Sequence, residues 1–312
     1  ICSMKRREFL AASLASALCA TVGTSVSPAF ADGCACCAKK KLLYFERSNG
    51  FLHPSTKVDP ATGLSVGGKV ISEIGKKLGY EVVCTKDGRI FDGDLCQYDA
   101  FILNCCGTLT GEGGGDGPNA YPMSKEGEQN FFKAIRNGVG VVGFHNATDT
   151  NKSGGPHREN APLDKRTEYT KMIGGEFLTH GSQQETSLRI LKAGELPSVP
   201  ELPARIHEEW YALRNLNPDM HVLMLQETEG MNTNGGNWCY DRSAFPCTWV
   251  RMEGKGRVAY TTLAHNNSTW ETDWMKAIIL DLTKFATRKM DIDTTPNLKD
   301  VAPDFDVLCR QK

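Results

Sequence analysis

Several absences narrow this chain before anything present is read. Beyond residue 31 no run approaches the roughly 20 apolar residues that a membrane-spanning helix needs, so no stable span is expected. Basic charge is not in excess: Lys and Arg number 36 against 37 Asp and Glu. A nucleic-acid partner, which would want a basic face, is therefore not expected. No H-E-x-x-H occurs, which excludes a zincin helix. No G-K-[ST] phosphate loop occurs either, and no G-x-G-x-x-G follows the first strand-like run. Internal repeats and long low-complexity runs are also missing.

The N-terminus carries the clearest signal. Lys5, Arg6 and Arg7 form a basic region, and Arg6-Arg7-Glu8-Phe9-Leu10 reads as a twin-arginine export motif ahead of a weakly apolar stretch. Met4 is the expected start, and Ala29-Phe30-Ala31 the expected cleavage site. The mature chain would then span 32–312. A short membrane anchor is the alternative; Ser13, Ser16, Thr21, Gly23, Thr24 and Ser25 dilute the stretch too far for it. A lipoprotein Cys19 is discounted because bulky Leu18 precedes it. Removing Lys5, Arg6, Arg7 and Glu8, a net +2, from a chain of formal charge −1 leaves a mature charge of about −3. The expected location is the periplasm, with 32–39 as a Cys-containing leader, one domain over 40–287 and a tail over 288–312.

Export into an oxidising compartment makes disulfides an expectation. Cys239 and Cys247 bracket a short loop and are the first candidate pair, and Cys309 could reach Cys34, Cys36 or Cys37. Cys34-Ala35-Cys36-Cys37 also admits a metal or redox reading, but no second C-x-x-C supports it. Cys84, Cys105 and Cys106 fall in or beside strand-like runs and are expected as buried thiols.

Alternating strand-like and helix-like segments point to an α/β fold with a mostly parallel sheet and helices on both faces. Strands are expected at 42–45, 81–84, 100–103 and 139–144. Helices are expected over 65–79, 124–137 and 270–286, each with apolar residues at helical spacing. The segment 183–265 adds a β-rich region: strands at 185–192, 205–213 and 221–227, and a hairpin of 247–253 with 257–263 turning at Gly254-Lys255-Gly256. The glycine-rich loop 107–117 carries Glu112 and Asp116, which would repel phosphate, so a flexible surface loop is expected.

Ligands of open parallel sheets bind beyond the carboxyl ends of the strands. Four of the seven histidines fall at such places: His53, His145, His180 and His265. A shared pocket is the expectation. Histidines can move protons near neutral pH. Neutral imidazoles with a carboxylate can also hold a divalent ion such as zinc, with His53 and His180 as candidate ligands. In His207-Glu208-Glu209-Trp210-Tyr211, strand alternation sends one carboxylate toward that pocket. Trp210, Trp238, Trp249 and Trp270 could stack on a sugar or belong to the core.

Five stretches together resemble the ThuA-like (trehalose-utilisation) family. They are G-F-L-H-P-S at 50–55, G-V-V-G-F-H-N-A-T-D at 140–149, M-I-G-G-E-F-L-T-H at 172–180, H-E-E-W-Y at 207–211, and W-V-R-M-E-G-K-G-R-V-A-Y-T-T-L-A-H at 249–265. The resemblance implies a flavodoxin-like, class I glutamine amidotransferase-like domain tied to carbohydrate use. It carries functional weight onto His53, His145, Asp149, His180, Glu209 and His265, and it selects Glu209 over Glu208. Two departures bear on substrate choice: the polar segment N-K-S-G-G-P-H-R-E-N, and an elaborated loop at 229–247. Related amidotransferases place a nucleophilic cysteine at a strand-to-helix elbow; here His145 stands there, so the thiol an acyl-enzyme needs is missing and fold alone would mislead.

The expectation is an exported enzyme acting on a small sugar or oxidised (keto) sugar. His145, His265, Glu209 and Asp149 would be catalytic, with Asp149 orienting His145 or binding a hydroxyl. His53, Trp210 and Asn146 would bind substrate. Hydrolysis, isomerisation and elimination all remain open, as does a non-catalytic carbohydrate-binding role.

Overall fold

The computed structural model describes residues 41–114, 116–117 and 120–308. The export signal, the 34–37 cysteines and Cys309 lie outside them. Leu42 to Phe45 form strand β1 (Lys41–Phe45), buried almost throughout. Helix α1 (Val66–Leu78) starts where the Ser65 side chain accepts the Gly68 N–H, a normal N-cap that satisfies an orphan donor. Strands β2 (Glu81–Thr85) and β3 (Tyr98–Leu103) follow, then helix α2 (Lys125–Asn137), capped the same way by Ser124 on Gly127. Strand β4 (Gly140–Phe144) is wholly buried. After it come α3 (Glu168–Ile173), β5 (Glu176–His180), β6 (Gln184–Thr186), β7 (Leu188–Ile190), β8 (Ile206–Glu208) and β9 (Tyr211–Arg214). The chain ends with β10 (His221–Gln226), β11 (Phe245–Glu253), β12 (Gly256–Thr261), α4 (Asn267–Glu271), α5 (Asp273–Ala286) and α6 (Leu298–Val301).

One eight-stranded sheet runs β2-β1-β3-β4-β12-β11-β10-β7. Its first five strands are mutually parallel and the last three pair antiparallel. The fold is α/β and mostly parallel, as expected. Strand alternation splits the core into two layers. Leu42, Tyr44, Ile102 and Val142 pack with Val70, Ile71 and Ile74 of α1 and with Ile278 and Ile279 of α5. Leu43, Phe45, Phe101 and Val141 pack with Phe131 and Ile135 of α2 and Met172 of α3. Two short antiparallel pairs, β5–β9 and β6–β8, lie outside the large sheet. The strand order turns outward between β1 and β3, the kind of switch point that opens a ligand crevice at the carboxyl ends.

The structure departs from the sequence reading in several places. The strands expected at 185–192 and 205–213 are each broken in two, and Glu209 and Trp210 fall in the second gap. The helix expected over 270–286 is α4 plus α5, divided at Thr272, which caps α5 through the Met275 N–H. Cys239 and Cys247 are not joined by a disulfide; both are buried, and Cys247 sits within β11 with Sγ 3.4 Å from the Met224 carbonyl. The expected tail packs back on the sheet: Leu298 is fully buried and Asn297 Oδ1 accepts the Val222 N–H at 2.7 Å.

The described part of the glycine-rich loop is held rather than loose. Arg47, 1% exposed, donates to the carbonyls of Thr108, Leu109, Gly111, Gly113 and Ala120. Asp116 closes the clasp by accepting from the Ser48 N–H and Lys86 Nζ. Beside it, Glu46 is buried and accepts from Ser65 Oγ at 2.6 Å. Burial raises its carboxyl to about 7, against the pull of Ser65 and Lys86. The folded chain therefore holds the Glu46 proton more tightly than the unfolded chain. Stability from this group is present at low pH and is lost as pH rises through about 7. Glu46→Gln should raise the unfolding free energy at pH 8 by about 2–3 kcal/mol and change it little at pH 4. Urea denaturation at the two pH values measures this, and equal effects at both would contradict it.

Candidate active site

Five chain segments deliver the expected histidines and one carboxylate to the carboxyl end of the parallel strands. His53 comes from the loop after β1, where its carbonyl caps the 3-10 turn Pro54–Thr56. His145 follows β4 directly, at φ +34°. His265 follows β12, after Ala264 at φ +81°. Positive φ is costly for non-glycine residues and persists only where surroundings hold it. Here they do. Tyr260 Oη donates to the His145 carbonyl at 2.7 Å, and Trp270 Nε1 donates to the Ala264 carbonyl at 2.8 Å. Glu209 enters through the gap between β8 and β9, and His180 ends β5.

The central contacts are tight. His145 Nδ1 lies 2.7 Å from the Thr262 carbonyl. A carbonyl only accepts, so Nδ1 carries hydrogen and Nε2 faces inward. His145 Nε2 lies 3.2 Å from Glu209 Oε2 and 3.1 Å from His265 Nδ1, which is itself 3.1 Å from Glu209 Oε2. His53 stands edge-on to both rings, with centroids 5.2 Å from His145 and 5.3 Å from His265. One nitrogen from each of these three histidines and one Glu209 oxygen all lie within 4.8 Å of one another. All four side chains are buried.

The electrostatics follow from that crowding. Burial, with the neighbouring His145 and His265, lowers His53 to about 2, so it stays neutral. Burial alone would raise Glu209, but the His145 and His265 rings packed against it outweigh that and hold the carboxyl well below its usual range. Glu209 is thus the anion of the group. Tyr211, pushed above its normal range by burial, keeps its proton. Its ring lies over His145 with centroids 3.8 Å apart, and its hydroxyl is 3.5 Å from His53 Nε2.

His180 stands at the mouth rather than inside, with its side chain 43% exposed. Its Nδ1 donates to the Gly181 carbonyl at 2.8 Å and lies 3.5 Å from Glu209 Oε1. Among the described residues none bonds its Nε2. The elaborated 229–247 loop holds this turn. Tyr240 Oη accepts the Gly181 N–H and donates to the Trp210 carbonyl, while Asn237 Oδ1 accepts the Ser182 N–H. Gly181 is required there, since a Cβ would stand 2.3 Å from Asn237 Oδ1. Tyr240 therefore ties the His180 strand to the Glu209 segment. Exposed Phe51 stands edge-on to His53 at the same mouth.

Other candidates fall elsewhere. Asp149 does not touch His145: it accepts from Cys106 Sγ at 3.2 Å and pairs with Lys152 at 2.9 Å, so Thr262 orients the imidazole instead. Trp210 is fully buried, its indole N–H on the Gln184 carbonyl, and offers no face to a substrate. Asn146 is buried with its amide nitrogen 3.3 Å from His53 Nδ1, which makes it a support for that ring. Tyr211, Tyr240 and the Thr262 carbonyl were not expected from the sequence.

The model of the ThuA family, described as trehalose utilisation, matches residues 41–286. Among solved structures the chain is similar to a ThuA-like protein from Bacteroides uniformis ATCC 8492, at 18% identity and a TM-score of 0.53, over 80% of this chain and 91% of that one. It is also similar to a ThuA-like protein from Parabacteroides merdae ATCC 43184, at 16% identity and a TM-score of 0.51, over 88% of this chain and 97% of that one. No curated protein matches it. At such identities the structural likeness speaks to the fold alone.

Proposed function

The chain belongs to the ThuA family, and from that membership and the buried His–Glu group we propose an exported, periplasmic enzyme acting on a sugar or oxidised (keto) sugar. The convergence of His53, His145, Glu209 and His265 from four separate segments carries the reading. A core has no need of such a group, because burying polar and charged side chains costs free energy unless they are paired. The twin-arginine motif at 6–10 supports export, and the family's description supports a carbohydrate. No helix among the described residues is long and apolar enough to cross a membrane.

The arrangement suits proton transfer beside a sugar carbonyl. Glu209 brings a buried negative charge, and His145 is locked with its Nε2 lone pair inward, so the two present fixed electron donors that can polarise a bound sugar, directly or through a cation held between them. His180, half in solvent, can exchange protons between the site and water. Phe51 offers an exposed ring for the apolar face of a sugar.

The test is a thermal-shift screen of sugars and keto-sugars followed by product detection. At least one compound should raise the melting temperature, as any ligand selective for the folded chain must. His145→Ala should then abolish product and keep the shift. A ligand bound without turnover by the native chain favours a pure binder; no shift with any sugar removes the carbohydrate reading.

A further inference from the structure

We infer that His53, His145, Glu209 and His265 bind one first-row divalent cation, with zinc the best-fitting ion. The spacing of the donors is the first argument. Two donors held about 2.1 Å from one ion stand about 3.0–3.4 Å apart at angles between octahedral and tetrahedral. The three central atoms, His145 Nε2, His265 Nδ1 and Glu209 Oε2, are separated by 3.1, 3.1 and 3.2 Å.

The hydrogen count points the same way. His145 spends its only neutral-form hydrogen on Thr262, so Nε2 presents a lone pair to the Glu209 carboxylate. A single proton on His265 Nδ1 can serve both neighbours, yet it leaves that acceptor–acceptor contact in place. A cation at the shared point removes it.

The support around the donors agrees with both. Metal-binding histidines hand their other N–H to a carbonyl or similar group, which fixes the tautomer. The Thr262 carbonyl does this for His145. Beside His53 Nδ1 lies Asn146, whose Oδ1 is buried with no partner among the described residues. Turning that amide over gives an Nδ1–H an acceptor and leaves Nε2 for the ion. Three imidazoles and one carboxylate suit zinc and its neighbours, whereas magnesium and calcium take oxygen ligands.

The experiment uses the full chain without a polyhistidine tag, stripped with a chelator and titrated with Zn(II), Mn(II) and Mg(II) by calorimetry, with elemental analysis of the protein as purified. We expect one equivalent of Zn(II) and no measurable Mg(II) uptake. His145→Ala should abolish stoichiometric uptake; Glu209→Gln, nearly the same shape and so less disturbing to folding, should do likewise. Asn146→Ala should weaken binding by about 10–100-fold. Asp293→Asn should change nothing, although Glu195, His221 and Asp293 form another candidate group. No uptake by the native chain overturns the inference. So does uptake that survives both His145→Ala and Glu209→Gln, or that is lost with Asp293→Asn. The inference does not depend on a sugar: ion uptake without any turnover removes only the enzymatic reading, and turnover without ion uptake removes only this one.

Discussion

Arg214→Ala should lower the unfolding free energy by about 3–5 kcal/mol, the usual cost of stripping one partner from a buried ion pair. Arg214 and Glu176 are 6% and 0% exposed at their side chains, with Nη2 2.6 Å from Oε1. The pair does more than neutralise itself. Arg214 donates to the carbonyls of Ser153, Pro156, His157 and Glu159. Glu176 accepts from the Ser153 N–H, Thr170 Oγ1 and Asn215 Nδ2. The polar segment that follows β4 is therefore fastened to β5 and β9 by one guanidinium. Deleting it leaves Glu176 charged and unpaired in the core. Burial would raise the Glu176 carboxyl, but the Ser153 amide and Arg214 outweigh it and set it below its ordinary value. A lowered carboxyl contributes stability above its unfolded value, and that contribution is lost as pH falls through the folded one. The cost of Arg214→Ala should accordingly be full at pH 7 and shrink toward pH 3. Urea midpoints for native and variant chains at both pH values measure it. The double variant Glu176→Gln/Arg214→Met, which leaves no orphaned charge, should recover much of the loss. A cost below 1 kcal/mol at pH 7 would show that the segment anchors itself by other means.

The parts of the fold visible in the sequence are those that depend on periodicity and caps. Val70, Ile71 and Ile74 announce α1, and Ser65 and Ser124 start helices where capping chemistry says they should. The site was visible for a related reason. A histidine just past each of several strands must, in a parallel sheet, arrive at the same end. What stayed hidden has no residue-type signal. The Thr262 carbonyl orients His145, and any residue has a carbonyl. Asp149 looked like the orienting group because it lies four residues from His145, but the 3-10 turn His145–Thr148 carries it to Lys152 and Cys106. Cys239 and Cys247 are near in sequence, yet one lies on the turn Gly235–Tyr240 and the other inside β11. The glycine-rich loop looked loose because its anchor, Arg47, sits some sixty residues earlier and works through backbone carbonyls. Positive φ at His145 and Ala264 could not be read from residues that normally avoid it.

Glu208 and Glu209 are adjacent and identical in type, and their amide variants should part company. Strand alternation promised one carboxylate to the site without reaching across the break that ends β8 at Glu208. The break sends Glu209 to the histidines. Glu208, fully buried, turns the other way, where its Oε1 accepts the Glu209 N–H at 3.0 Å, the Asn266 N–H at 3.3 Å and Asn266 Nδ2 at 3.0 Å. Glu208 thus holds the backbone of Glu209 and the residue after His265 in one grip. Glu208→Gln keeps an acceptor oxygen, so the grip survives and turnover should stay near native. Glu208→Ala orphans three donors and should cost about 1–3 kcal/mol of stability for each that stays buried and unsatisfied. Glu209→Gln keeps the shape and removes the negative charge set between His145 and His265. On whichever sugar the screen identifies, kcat/KM should fall by about 10²–10⁴-fold, the range for losing one positioned catalytic group, while the melting temperature of the chelator-stripped chain holds. The comparison is decisive because the two variants differ by one position. If Glu208→Gln is the more damaging to turnover, the roles given to the two carboxylates are reversed and the His–Glu group is not the reacting centre.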